Sequence, residues 1–300
     1  MEERKWENMS SDCLVNIFKR LDLDMLLHDV PFVCKNWYQA LLDNPLCWQN
    51  LVFPRNASES GNYQSRFARF LQFGGANVSA ALDFVLNRSR GLATTVVLPS
   101  FTNIEDVLYV IDKCPALRFL AVPSHTFVVD YEDILDPVSG DYSFDSLASL
   151  DEFAEECYKQ MSARKCNYMI QIIDKIELHC KDFVGLSVEN AEFSNEVTSA
   201  IVSKLATLKY LVIDHAILDK KHLEIILLGC IDLEMLHIRD SLSFDENAYD
   251  VFKVYDVYIL KLASRIKDFR YGDFEESSLW PFCEESDLLP FPDYIVYDDC

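Results

Sequence analysis

The chain has 300 residues, half of them hydrophobic and 13% aromatic, with only 8 Gly and 10 Pro. That composition excludes a wholly disordered, collagen-like or Pro/Gly-rich low-complexity protein. Lys and Arg number 27 against 49 Asp and Glu, a formal charge of −22. A field of that sign repels phosphate backbones and anionic lipid, and no basic patch interrupts it, so neither nucleic acid nor membrane is an expected partner. No run of about 18 uncharged apolar residues offers a membrane span, and the opening MEERKWENMS has no signal-peptide core. The expected location is the cytoplasm, the nucleus or both. The 10 cysteines are then thiols in a reducing compartment. With no C-x-x-C pair and no zinc-type Cys/His spacing, they read as small buried hydrophobes.

Residues 6–50 read as three short helices. Ser10, Ser11 and Asp12 supply a capping signal, and Leu14, Ile17, Phe18 and Leu21 follow at i, i+3, i+4 and i+7. A second apolar run, from Met25 to Val30, ends at Pro31. Val33, Trp37, Ala40 and Leu41 share a face of a third helix, which Asp43-Asn44-Pro45 stops. A module this small has little core of its own, so its spare apolar faces should dock on the rest of the chain or on another protein.

The order Trp6, Met9-Ser10-Ser11-Asp12, Leu14, Ile17-Phe18, Leu21, Val33-Cys34-Lys35-Asn36-Trp37, Pro45 and Trp48 resembles an F-box. The family usually carries Leu-Pro where this chain has Met9-Ser10, and the missing Pro is expected to leave the approach to the first helix less fixed. The resemblance implies binding to the Skp adaptor of a Skp–cullin–F-box ubiquitin ligase, and through it to cullin. The adaptor-binding residues it implies are Met9, Leu14, Ile17, Phe18, Leu21, Val33, Cys34, Trp37, Pro45 and Trp48.

Further along, an L-x-x-L-x-L beat recurs as Leu92/Thr95/Val97, Leu117/Leu120/Val122, Phe183/Leu186/Val188, Leu208/Leu211/Ile213 and Leu233/Leu236/Ile238, repeatedly at a step of 25 residues. Such a step marks leucine-rich repeats, each a short strand with its Leu side chains inward and a helix behind it. Cys114, Cys180 and Cys230 each stand three residues before the first position of a beat. Recurrence at one slot supports the buried-thiol reading and resembles the cysteine-containing repeats of F-box proteins. The 66 residues from Leu117 to Phe183 are expected to hold one degenerate repeat plus about 16 inserted residues, in a total of about seven repeats. Ten carboxylates without a Lys or Arg in 126–157 suggest that the insert is a solvated acidic loop. Ile266/Phe269/Tyr271 is the expected last strand.

The predicted fold is therefore α/β: a three-helix F-box followed by a curved solenoid with parallel strands inside and helices outside. The expected division is F-box 1–53, connecting segment and N-terminal cap 54–91, repeats 92–272 with an acidic insert near 126–157, and an acidic C-terminal tail or cap 273–300. Between the inward positions, one concave column reads Thr94, Phe119, Gly185, Tyr210, Met235, Asp268 and the next Val96, Ala121, Ser187, Val212, His237, Arg270. Phe119, Tyr210, Met235, His237 and Arg270 are the candidate substrate-binding residues, as rigid anchors on an ordered surface.

No nucleotide-binding, hydrolase or zinc-protease motif occurs, so no catalytic residue, metal ligand or cofactor is expected. The whole chain resembles an F-box/leucine-rich-repeat protein of the plant type. The resemblance implies a non-catalytic substrate receptor that holds an unknown protein near a ubiquitin-conjugating enzyme. The competing reading is a repeat scaffold without a ligase role, whose box-like helices merely cap the first strand.

Overall fold

In a computed structural model of the chain, the described residues are 6–53, 78–129, 150–239, 241 and 257–272, and of 150–154 the backbone alone. The N-terminal module contains α1 (Ser11–Phe18), α2 (Leu23–His28), α3 (Val30–Val33) and α4 (Lys35–Asp43), closed by a 3-10 turn at Pro45–Trp48. The second apolar run thus splits in two. Pro31 falls in the first turn of α3, where its missing N–H costs nothing, and it prevents α2 from continuing. Asp22 caps α2 by accepting from the Met25 amide at 2.7 Å. Leu14, Phe18, Leu26, Leu41 and Trp48 are buried together, and the Trp48 indole donates to the Leu41 carbonyl at 3.1 Å. The ring thereby brings its large apolar surface inside without stranding its one donor.

Beyond Trp48 the chain passes at once into a sheet. Seven parallel strands lie in sequence order: β1 (Asn50–Val52), β2 (Thr95–Val97), β3 (Phe119–Val122), β4 (Gly185–Glu189), β5 (Tyr210–Asp214), β6 (Met235–Arg239) and β7 (Asp268–Tyr271). The helices α5 (Val78–Ser89), α6 (Ile104–Lys113), α7 (Leu150–His179), α8 (Asn195–Lys204), α9 (Lys220–Gly229) and α10 (Val257–Ala263) alternate with them. This is the repeat solenoid the periodicity predicts. Alternation puts Leu120 and Val122, Leu186 and Val188, Leu211 and Ile213, and Leu236 and Ile238 into one continuous core with Val107, Ile172, Ile201 and Leu223 of the helices. Each such side chain contributes about 1.5–3 kcal/mol relative to exposure. Asn103 caps α6 through the Asp106 amide at 2.8 Å, and Ser194 caps α8.

Three expectations are corrected. In the first repeat the inward set is Ala93, Val96 and Leu98, all fully buried, while Leu92 is exposed. Thr95, not Thr94, pairs with Phe119, and Val97, not Val96, with Ala121. The Arg90-Gly91 turn, with φ of 49° and 79°, sets this start, and glycine takes such a conformation without strain. Second, the sheet begins with β1 inside the N-terminal 53 residues, pairing Leu51 with Val96, so module and solenoid share a core. Third, β3 pairs directly with β4, so no strand of a further repeat intervenes between them in the sheet. That interval contains α7, 30 residues long against 10 in α6, α8 and α9, and residues 150–157 of the expected acidic loop are helical. Met169, Ile172, Ile173 and Ile176 seat the C-terminal part of α7 in the core. Its preceding turns reach the β4–α8 loop, where Ser162 meets Glu192 and Lys165 meets Asn190.

The repeated cysteine slot is a core position. Cys114, Cys180 and Cys230 are buried, and burial pushes their thiols up to about 12, 11 and 11, the opposite of an activated nucleophile. Cys180 donates weakly to the Cys114 carbonyl at 3.6 Å. Cys114→Ser and Cys230→Ser are each expected to cost about 1–3 kcal/mol, roughly 2–4 °C of melting temperature per kcal/mol. Cys180→Ser should be milder, because its hydroxyl can donate to the same carbonyl. Thermal melts of the three variants check the order.

His222, on the first turn of α9, is buried with Nε2 3.1 Å from the Asn195 amide oxygen. Burial holds its pKa below the ordinary value, outweighing the nearby Asp219 carboxylate. The unfolded chain therefore binds the proton first as pH falls, and stability is lost below about pH 6.5. The melting temperature should drop between pH 7.5 and 5.5, and His222→Gln should flatten that drop. An equal drop in the variant would refute the assignment.

Candidate protein-interaction surfaces

The N-terminal module has two apolar sides. One joins the solenoid: Trp48, Leu51 and Phe53 share the core with Leu82, Val85 and Leu86 of α5, and the Arg88 guanidinium lies 3.4 Å above the Phe84 ring and 5.6 Å from that of Trp48. The other is uncovered. Val30 turns inward from the single turn of α3, whereas Phe32 is 80% and Val33 53% exposed. Met25 of α2 and Tyr38 of α4 are also open.

The F-box-like residues separate accordingly. Leu14, Phe18 and Trp48 are fully buried and hold the module together. Met9, Ile17, Leu21, Cys34, Trp37 and Pro45 are half-buried, and Val33 is exposed. Phe18 meets Trp37 edge-on at 5.5 Å. Phe32 is absent from the residues implied by sequence; the signal was its place in a Val-Pro-Phe-Val turn too short to bury both sides. The substituted Leu-Pro position is also compensated. The Asn36 side chain donates to the Glu7 and Met9 carbonyls, both at 3.0 Å, and the Trp37 indole to the Trp6 carbonyl at 3.4 Å. Three hydrogen bonds fix the approach to α1 that a proline would have stiffened.

On the sheet, Phe119, Gly185, Tyr210 and Met235 stand side by side in register. Gly185 has no side chain to separate its neighbours, and the Phe119 and Tyr210 rings come within 5.6 Å. The next row carries Ser187, Val212, His237 and Arg270. His237 Nε2 is 2.8 Å from an Asp268 carboxylate oxygen, and Arg270 donates to the other at 3.0 Å. Arg270 is exposed and Tyr210 half-buried, but Phe119, Met235 and His237 are only 9%, 3% and 1% exposed. Thus the topology brings four candidates together, with Arg270 at the open end, and three of the five do not stand open to solvent.

A shallow groove of about 390 Å³ lies between α7 and the β4–α8 loop, lined by Tyr158, Ser162, Cys166, Ser194 and Glu196 among others. Burial raises the pKa of the Cys166 thiol, which makes it a poor nucleophile. Among the described residues no cluster of three or more His, Cys, Asp or Glu is arranged to hold a metal ion. The expected tail 273–300 and residues 130–149 of the acidic insert lie outside the described residues.

A repeat solenoid capped by a helical module with a second, open apolar side is thus the class of protein defined here. No family model matches the chain. It is 21% identical to an F-box/LRR-repeat protein of Arabidopsis thaliana over 89% of this chain and 83% of the relative. It is 23% identical to the F-box protein FBW2 of the same plant, over 97% of this chain and 89% of the relative. The similarity to F-box and F-box/LRR-repeat proteins is thus distant but runs over most of the chain.

Proposed function

We propose that the chain is the non-catalytic substrate receptor of a Skp–cullin–F-box ubiquitin ligase, acting in the cytoplasm or nucleus. The α1–α4 module would bind the Skp adaptor, with cullin reached through it, and the repeats would hold a protein substrate. The chemistry needed from this chain is proximity: a tethered target lysine meets the conjugating enzyme at a raised effective concentration, with no bond made by the receptor. The observation that carries this reading is the exposed Phe32–Val33 pair in a module whose Trp37 and Ile17 are also only half-buried. A module that only capped the sheet would need Trp48 and Leu51, and it would have no use for a second apolar side, which is costly in water.

Co-expression of the full chain with a Skp adaptor tests this. The expected result is a stable one-to-one complex in size-exclusion chromatography, with the free chain less soluble than the complex. A well-behaved chain that elutes apart from the adaptor would favour the scaffold reading.

A further inference from the structure

The residues that lead into the strands at their N-terminal ends form a row across the sheet. The Val184 amide donates to the Arg118 carbonyl at 2.9 Å, the Lys209 amide to that of Val184 at 2.8 Å, and the Glu234 amide to that of Lys209 at 2.8 Å. Lys267 comes next, since Asp268 pairs with Met235. The order is thus Arg118, Val184, Lys209, Glu234, Lys267, with a cation on every second strand. Arg118, Lys209 and Lys267 are exposed, whereas Met235 and His237, further along β6, are buried.

Glu234 shows what two cations at this spacing do. Lys209 and Lys267 stand two strand spacings apart, about 9.6 Å, and their ammonium groups each take one oxygen of the Glu234 carboxylate. Hydrogen bonds from Lys267 and then Lys209 hold that carboxyl below its ordinary pKa. The matching interval between Arg118 and Lys209 is filled only by Val184, neutral and half-buried. Among the described residues Arg118 meets no carboxylate, and its guanidinium lies 5.6 Å from the centre of the Phe119 ring. Lys209 has three N–H donors, and Glu234 takes one of them.

We propose that the interval over Val184 binds a carboxylate side chain of a peptide, held between Arg118 and Lys209 as Glu234 is held between Lys209 and Lys267. The half-buried Tyr210 ring, 5.6 Å from that of Phe119, offers an apolar surface beside it for an aromatic residue of the same segment. As a statement of substrate class this rests on the receptor reading above: the repeats would take targets that present an acidic, aromatic stretch. A guanidinium suits the role because its planar fork donates two parallel hydrogen bonds to one carboxylate. The chain as a whole, at −22, repels an acidic partner. Capture of such a peptide therefore reports local contacts and not the general field.

Fluorescence anisotropy of the full chain with a short labelled peptide of alternating Glu and Tyr provides the test. The counterpart of alternating Gln and Tyr should bind about tenfold more weakly, and Arg118→Gln should weaken binding of the Glu peptide about fivefold while leaving the Gln peptide unchanged. Val184→Glu puts the chain's own carboxylate into the interval and should weaken binding of the Glu peptide about tenfold, whereas Val184→Gln should change it less than about twofold. If Val184→Glu melts well below the parent chain, the variant at exposed Arg118 decides. Equal binding of the Glu and Gln peptides, parental affinity in Arg118→Gln, or binding of a phosphoserine counterpart alone overturns the proposal. Adaptor capture by the same samples reports on the F-box reading alone: its failure beside intact Glu-selective binding would remove the receptor and leave the site.

Discussion

Phe32→Asp is expected to lower adaptor capture at least 100-fold while leaving the melting temperature within about 2 °C. Phe32 is 80% exposed, so a polar replacement removes nothing from the core, and surface changes of that kind fall within about 0.5 kcal/mol. In a complex the same ring would be a buried aromatic anchor, and losing such an anchor costs about 2–4 kcal/mol, with a buried charge adding to it. Val33→Asp should act in the same direction. Leu14→Asp also abolishes capture, but for another reason: Leu14 is fully buried between Phe18 and its neighbours, so the module unfolds. Deleting residues 1–50 is not a clean control. It removes Trp48 and the first residue of β1 and bares the core side of α5 and β2. The truncated chain should melt lower and aggregate, whatever its adaptor affinity. Wild-type capture by Phe32→Asp and Val33→Asp together would sink the adaptor assignment.

The contrast between Leu14 and Phe32 shows what a sequence can disclose about such a module. Helical spacing identifies Leu14, Ile17, Phe18 and Leu21 as one stripe, yet the stripe holds both core and contact residues, because periodicity reports a shared face and not what covers it. In the repeats the beat is legible wherever large aliphatics fill all three inward slots, as at Leu208, Leu211 and Ile213. It slips by one residue at β2, where the small Ala93 occupies the first slot beside an exposed Leu92. β1 is three residues long, too short to display alternation. The start of α7 reads as loop because its carboxylates mask a helix whose apolar stripe begins later, at Cys157 and Met161. Two positions call for tertiary knowledge altogether. The Asn36 clamp joins residues 27 and 29 positions apart, and His237 is 1% exposed although alternation places it on the sheet face away from the helices.

Arg239→Met is expected to destabilise the chain by about 3–5 kcal/mol, a loss on the order of 10 °C in melting temperature. Asp214 and Arg239 are register partners on β5 and β6, only 2% and 7% exposed. The Arg239 Nε donates to Asp214 Oδ1 at 2.9 Å, and an Nη group donates to the other oxygen. This bidentate geometry compensates the desolvation of both charges. His215 Nδ1 lies 2.9 Å from the same Oδ1. Without the guanidinium, the Asp214 carboxylate stays buried and keeps that ring as its side-chain partner among the described residues, so its desolvation is no longer offset. Asp214→Asn should cost less, because Arg239 has a long stem that can carry its charge toward solvent. The decisive variant is Asp214→Leu/Arg239→Met. Removing both charges abolishes both desolvation penalties, so its loss should be well below the sum of the single changes, a coupling of about 1–3 kcal/mol. Little of that coupling should be screened between 0.05 and 1 M salt, since the pair is shielded from ions. The exposed Lys267–Glu234 pair serves as the contrast, with a coupling of about 0.2–1 kcal/mol that salt erodes. A cycle in which the Asp214–Arg239 coupling is as small and as salt-sensitive as that of the exposed pair would show that the ion pair does not hold β5 and β6 in register.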